Sequence, residues 1–305
     1  MRRFIVSAVA AIVAVILSGC TLITDLSSVF QITTASPVYG TEDTSGLTYP
    51  TPTTDAPDIF HYYPSIQDVS KSDVGVHPES GVYDISSDDG DLLVRAVMTL
   101  PKITFVGETP VQETVDSLLD SVKADFENQI KQLSDSYVSD IQSGYRVITN
   151  PKFSVTYTLT DFSSEFASIL YSIVQTNSDG ISSTDYLCLV IDLKAGFKVD
   201  LSTLFSGGLS DRLLTLINEK LASCGKKLYS GYESIAAEQV KNCWMISNSG
   251  IKFIFSARTI APASEGTVEI TLENGEINGL LNDYGTALLG DFPATDPETD
   301  GSDGD

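Results

Sequence analysis

The sequence is poor in the side chains that most enzymes use for chemistry. Only two histidines, His61 and His77, occur in the 305 residues. Neither has a Cys or Ser partner in a recognisable catalytic motif. The four cysteines form no Cys-x₂-Cys pair and have no histidine nearby, which argues against a metal site. The sequence therefore predicts no catalytic residue, no cofactor and no metal ion.

Carboxylates are the one group with catalytic potential that is abundant. The 41 acidic side chains supply many pairs of the kind that cleaves glycosidic bonds, but no spacing singles out one pair. Most of them are expected on a solvated acidic surface. An enzyme that acts on peptidoglycan therefore stays an alternative without a named residue.

Basic residues are scarce. The chain has 18 Lys and Arg against 41 Asp and Glu, a formal charge of −23. Removal of residues 1–19 takes away Arg2 and Arg3, leaves 16 bases and brings the charge to −25. Such a charge repels nucleic acid and anionic lipid surfaces, and it suits a cationic partner. Because 42% of the residues are hydrophobic, a substantial core is still expected.

The N-terminus has the pattern of a bacterial lipoprotein signal. Two arginines precede an apolar segment, residues 4–17, which is shorter than the roughly 20 residues of a spanning helix. The run Leu17-Ser18-Gly19-Cys20 follows and resembles the bacterial lipobox. The resemblance implies cleavage of the signal peptide, residues 1–19, and lipid on the Cys20 thiol. Since two or more acyl chains anchor a protein stably, we expect it on the outer face of the cell membrane.

Composition divides the remaining chain into three parts. Residues 20–60 are rich in Thr, Ser and Pro and contain no Lys or Arg, which indicates a flexible tether. The folded part is predicted over residues 61–150 and 151–290. Residues 291–305 are acidic without a base, and we expect a disordered tail.

Hydrophobic periodicity gives the elements of the folded part. Strand signals begin just after Gly81, and alternating patterns predict strands at residues 92–99, 152–161, 165–176 and 185–194. Residues 177–180 are predicted to link two of these strands as a hairpin turn. Thr109-Pro110 predicts the start of a long amphipathic helix. Further helices are predicted at residues 210–223, 235–240 and 277–289. The pattern favours an α+β fold of antiparallel sheets with helices packed on one side, in two abutting subdomains.

The run Ile251–Leu272 is the most distinctive part of the folded region. Its pattern predicts a strand, a loop over residues 261–266 and a second strand. This run resembles the RsiV-like extracellular module of bacterial envelope proteins, which occurs mainly in Gram-positive bacteria. Two other parts of the chain share in the resemblance: the region of the helix predicted to start at Thr109-Pro110, and the run VIDLKAGFKVDLSTLF at residues 190–205. A departure lies at Asn177–Thr184, where the family often carries a turn with histidine.

The RsiV-like resemblance implies a function as well as a fold. The module occurs in lysozyme-sensing anti-sigma factors and ahead of the catalytic domain of some peptidoglycan deacetylases. This chain shows neither a cytoplasmic part nor a deacetylase domain, so sigma-factor binding and deacetylation are not expected of it. We expect a non-enzymatic, lipid-anchored protein that binds or senses an envelope ligand such as lysozyme or peptidoglycan. An envelope enzyme and the solute-binding lipoprotein of a transporter are the alternatives.

Three cysteines remain after Cys20, an odd number for an oxidising compartment. Cys188 lies in a run typical of a buried strand and is expected to be an inert core thiol. Cys224 ends one helical pattern and Cys243 opens a strand pattern, so a disulfide between them is a candidate. Sequence alone does not establish its geometry.

Overall fold

An eight-stranded sheet lies at the centre of the protein, seen in a computed structural model that describes residues 68–71, 73–107, 109–230 and 235–290. Its spatial order is β1-β2-β4-β5-β6-β7-β8, and β3 pairs with β4 beside this path. The strands are β1 (Val69–Lys71), β2 (Val74–Val82), β3 (Ile85–Ser86), β4 (Leu92–Phe105), β5 (Lys152–Phe162), β6 (Phe166–Thr176), β7 (Ser182–Asp192) and β8 (Phe197–Lys198). The predicted signal peptide, Cys20, the tether, His61 and the acidic tail lie outside the described residues.

Neighbouring strands of this large sheet run antiparallel except for β4 and β5, which are parallel. A parallel pair needs a long crossover connection, and helix α1 (Pro110–Gln142) provides it. The pairing of β4 with β5 also continues the sheet across residue 150, so the predicted division at that position falls within one sheet.

Helix α1 covers one face of the large sheet. It begins at Thr109-Pro110 as predicted, since proline tolerates the first helical turn, where its missing N–H has no partner anyway. Its buried apolar residues recur at helical spacing: Val115, Val122, Phe126, Ile130 and Tyr137. The Phe126 ring meets Tyr171 of β6 edge-on, with 5.5 Å between ring centroids. Such aromatic pairs stabilise packing beyond the area that they bury.

A second, three-stranded antiparallel sheet contains the run that the sequence singles out. Its order is β11-β10-β9, with β9 (Trp244–Ser247), β10 (Gly250–Phe255) and β11 (Val268–Glu273). Phe253 and its neighbours on one face share a core with helix α2 (Asp211–Ser223), whose N-terminus the Ser210 side chain caps.

The other face of the small sheet packs on the large sheet. Met245 and Ile254 contact Leu170 and Cys188 there. The buried Ser168 hydroxyl of β6 accepts a hydrogen bond from the Ile246 N–H at 2.9 Å, which joins the two sheets. The layers are therefore α1, the large sheet, the small sheet and α2.

Short elements complete the fold. The closing helix predicted at residues 277–289 is divided among several of them. Over residues 274–289 the chain forms α4 (Asn274–Ile277), a 3₁₀ turn (Asn278–Leu280) and α5 (Asp283–Leu289) instead of one helix. The others are a 3₁₀ turn (Leu201–Leu204), α3 (Ala237–Val240) and a 3₁₀ turn (Ala263–Glu265). The predicted α+β class is confirmed. Within the described ranges, no helix has the length and hydrophobicity to cross a membrane.

Candidate functional site

Four bulky apolar side chains are exposed to solvent near the C-terminal end of α1 and the β6–β7 turn. Ile141 is 51% exposed, Tyr145 71%, Ile148 61% and Ile181 53%. We call these four residues the apolar tip. Single exposed apolar residues are common on protein surfaces, but a group gathered by the fold marks a site of interaction.

One serine ties together the segments that carry the apolar tip. The Ser178 hydroxyl donates to the Asp140 carboxylate at 2.6 Å. The Ser178 carbonyl accepts from the backbone N–H of Ile148 at 2.8 Å and from that of Thr149 at 3.2 Å. Asn177 donates its N–H to the Ile181 carbonyl at 3.0 Å, which closes the turn. The apolar side chains are therefore presented by a hydrogen-bonded backbone, a preorganisation that lowers the entropy cost of binding.

Acidic groups surround the apolar tip. Asp135 and Asp179 are exposed, and Asp140 is half-buried beneath Ser178. Three bases, Lys131, Arg146 and Lys152, lie in the same part of the chain. An apolar centre with a charged margin is the usual anatomy of a protein–protein interface.

An open cleft of about 510 Å³ adjoins the apolar tip along the last turns of α1. It lies between the helix and the β3–β4 turn, and its charged lining consists of Asp88, Lys131 and Asp135. Two carboxylates thus line the same cleft. Its open shape suits a segment of a partner's surface better than the enclosed small-molecule sites that bury most of a ligand.

A polar cluster lies where the edge of β7 meets the loop after β10. The Tyr186 N–H donates to the Ser256 hydroxyl at 2.9 Å. Burial raises the pKa of Asp185, although the Ser256 hydrogen bond and the Arg258 charge act in the opposite direction. Arg258 has a φ of 72°, a left-handed conformation that is uncommon outside glycine. The cluster anchors the distinctive run at residues 251–272 to the large sheet.

Three of the cysteines and His77 lie within the described residues. Cys188 is buried as expected, at 3% exposure. Cys224 and Cys243 are both free thiols in this structure, and the candidate disulfide between them stays a prediction. His77 is exposed and lies 2.9 Å from the Asp68 carboxylate at the sheet edge. In the part of the chain that the structure describes, no group of three or more His, Cys, Asp or Glu side chains could hold a metal ion.

Comparison with known proteins supports the fold. No family model and no curated protein matches the sequence. The crystal structure of a DUF3298-family protein from Bacteroides fragilis matches with a TM-score of 0.51 at 11% identity, covering 69% of this chain and 94% of its own. A DUF3298-family protein from Pseudomonas aeruginosa matches with a TM-score of 0.44 at 10% identity, over 70% and 96%. At such low identity, the Bacteroides fragilis match shows a shared fold alone.

The apolar tip is the feature that sequence reasoning missed. Its residues belong to three segments, and none forms an apolar run that stands out locally. The sequence does carry one signal, since residues 177–184 depart from the pattern of the RsiV-like module. Ile181 within that turn is an apolar residue where a hairpin normally carries polar ones.

Proposed function

We propose that this protein is a non-enzymatic binding protein, held by lipid on Cys20 at the outer face of a bacterial membrane. It recognises a cationic protein such as lysozyme through the apolar tip. The observation that carries the proposal is the exposure of four bulky apolar side chains on a backbone that Ser178 holds in place. Contact between such a surface and water is unfavourable, and the free energy falls when a partner covers it.

Charge supports a cationic partner. The whole chain carries a formal charge of −23, and Asp140 and Asp179 belong to the segments that carry the apolar tip. Opposite charges steer a partner toward the surface and raise the association rate, while the apolar centre supplies the affinity. The RsiV-like resemblance, whose members include lysozyme sensors, supports the same class of partner by analogy of fold.

The apolar tip is tested by removing its side chains without disturbing Ser178. For the full-length protein in detergent, we expect the Tyr145→Ala/Ile148→Ala variant to bind lysozyme about 10–100-fold more weakly than the wild type, because two central contacts are lost. The matched control is Val82→Ala/Val106→Ala. These valines are 70% and 73% exposed but lie outside the apolar tip. Isothermal titration calorimetry measures the Kd of all three proteins.

Titration at about 50 mM and about 500 mM salt separates the two contributions. We expect the affinity of the wild type to fall at high salt and the tip variant to be weaker than the wild type at both concentrations. Equal weakening by the tip variant and the valine control would contradict the proposed surface. If wild-type protein digested peptidoglycan and Asp135→Asn did not, the envelope enzyme would replace the binding protein.

The membrane anchor is tested separately. We expect the Cys20→Ser protein to lose incorporation of radiolabelled fatty acid, because lipid attachment needs the thiol. The half-life of its folded state at elevated temperature should equal that of the wild type, since the change leaves the folded region untouched. Labelling of the variant at the wild-type level would show that the lipid is attached elsewhere or that the signal is an ordinary secretory one.

A further inference from the structure

Cys188 faces the layer between the two sheets. It is paired with Leu170 across β6 and β7, and paired residues of neighbouring strands point to the same face. Both belong to the cluster that includes Met245 and Ile254 of the small sheet. The Cys188 thiol is therefore directed toward the small sheet.

Cys243 faces the same layer from the opposite side. It immediately precedes β9, and its carbonyl accepts the Ile254 N–H at 2.7 Å. The register of β9 with β10 pairs Trp244 with Phe253, so Cys243 comes opposite Ile254. Because Ile254 packs on the large sheet, the strand register directs the Cys243 side chain toward that sheet as well. The Cys243 thiol donates a hydrogen bond to the Gln239 carbonyl at 3.4 Å, and oxidation would break this bond.

The two main chains meet at this point. The Cys188 N–H donates to the carbonyl of Asn242, the neighbour of Cys243, at 3.3 Å. The Asn242 side chain accepts a second hydrogen bond from the Lys198 ammonium group at 2.6 Å. The two thiols also interact electrostatically: burial raises the pKa of Cys188 most, and the charge of a Cys243 thiolate raises it further. A disulfide between them requires their Cα atoms to come within about 4.4–6.8 Å.

We propose that Cys188 and Cys243 form a redox-active pair whose oxidation gives a disulfide between the two sheets. The oxidant is a small-molecule disulfide. The partly exposed Cys243 attacks it as a thiolate, forms a mixed disulfide and releases one thiol. Cys188 then attacks the sulfur of Cys243 and expels the second thiol. Two protein S–H bonds are lost, one S–S bond forms, and the two electrons and two protons end on the small thiols.

The geometry favours this pair over Cys224 and Cys243. Cys224 caps the C-terminus of α2 and packs, like Cys243, against the core that α2 shares with the small sheet. The Cys224 N–H stays within its helix and donates to the Leu221 carbonyl at 3.3 Å, whereas the Cys188 N–H reaches the residue next to Cys243. Burial raises the pKa of both Cys188 and Cys243, so few molecules carry a thiolate at neutral pH. Oxidation is therefore slow at neutral pH and faster as the pH rises.

Peptide mapping without reductant tests the pair. The reduced full-length protein in detergent is incubated with oxidised glutathione at about pH 8.5, and the remaining thiols are then blocked. We expect the Cys188 peptide linked to the Cys243 peptide, lighter by the two hydrogens lost. The Cys224→Ser variant should give the same linked peptide. Oxidation should raise Tm by about 5–10 °C in both proteins, because the link closes a loop of about 55 residues.

Two results would overturn the proposal. One is a Cys224–Cys243 link in the wild type. The other is recovery of the Cys188 and Cys243 peptides with only the blocking group after prolonged oxidation. The Cys188→Ala and Cys243→Ala variants should lack the link and the rise in Tm. If either variant fails to fold, the wild type and Cys224→Ser still decide between the two pairings.

Discussion

The Gly250→Ala variant is expected to lose about 3–5 kcal/mol of unfolding free energy. Gly250 opens β10 directly after the β9–β10 turn and has a φ of 145°. A Cβ atom there would lie 2.1 Å from the Leu272 carbonyl oxygen and 3.0 Å from the Asn274 nitrogen. Because both are main-chain atoms, neither can turn aside as a side chain does. The small sheet would have to separate β10 from β11, and β10 carries much of its core.

Gly266→Ala is the matched control for this prediction. Gly266 also needs a positive φ, 69°, but no atom lies within 4 Å of the position that the alanine methyl group would take, so only conformational strain remains. That strain costs about 1–2 kcal/mol. Urea denaturation followed by circular dichroism measures both variants. If Gly250→Ala lost no more unfolding free energy than Gly266→Ala, β10 and β11 would be accommodating the added methyl group without cost.

The second large effect is expected at Asp192, where an alanine should cost about 3–4 kcal/mol. Asp192 is 6% exposed at the end of β7. Its Oδ1 accepts from the Lys194 N–H at 2.9 Å and from the Ala195 N–H at 2.8 Å. Its Oδ2 accepts from the Tyr284 hydroxyl of α5 at 2.8 Å. Alanine would leave three donors without this acceptor at the point where α5 meets the large sheet.

Tyr284→Phe separates the contribution of α5 from that of the turn. It removes one hydrogen bond and keeps the ring, so a loss of about 1 kcal/mol is expected. Guanidinium denaturation, with tyrosine fluorescence and circular dichroism compared, measures both variants. If Asp192→Ala and Tyr284→Phe lost the same unfolding free energy, Asp192 would stabilise the protein only through its contact with α5. Lysozyme affinity of the folded fraction should not change in either variant, because Asp192 and the β6–β7 turn lie at opposite ends of β7.

Secondary structure with strong local periodicity could be predicted closely. The start of α1 at Pro110, the β6–β7 hairpin with its turn at residues 177–180 and the strand–loop–strand run at residues 251–272 all appear as expected. In each case, one face of the segment is buried, and the spacing of apolar residues reports that face directly. The N-terminal composition likewise supports its lipoprotein interpretation without any reference to the fold.

Elements that depend on a distant partner were missed or misplaced. The predicted strands begin after Gly81, yet β2 runs from Val74 to Val82 through two glycines and a proline. Pairing makes this strand possible: Pro78 lies opposite Pro101 of β4, so the two missing N–H groups fall at one position of the ladder. Such compensation is invisible in either segment alone.

The sequence by itself determined the acidic charge, the small number of histidines and cysteines, an N-terminal run that resembles a lipobox, and most of the strands and helices. Only the tertiary structure decided which faces meet. Ser178 gathers the apolar tip from three segments, and a main-chain hydrogen bond places Cys188 beside the residue that precedes Cys243. The physical reason is that periodicity reports whether a side chain is buried, whereas its neighbours across the core are set by strand register and layer packing.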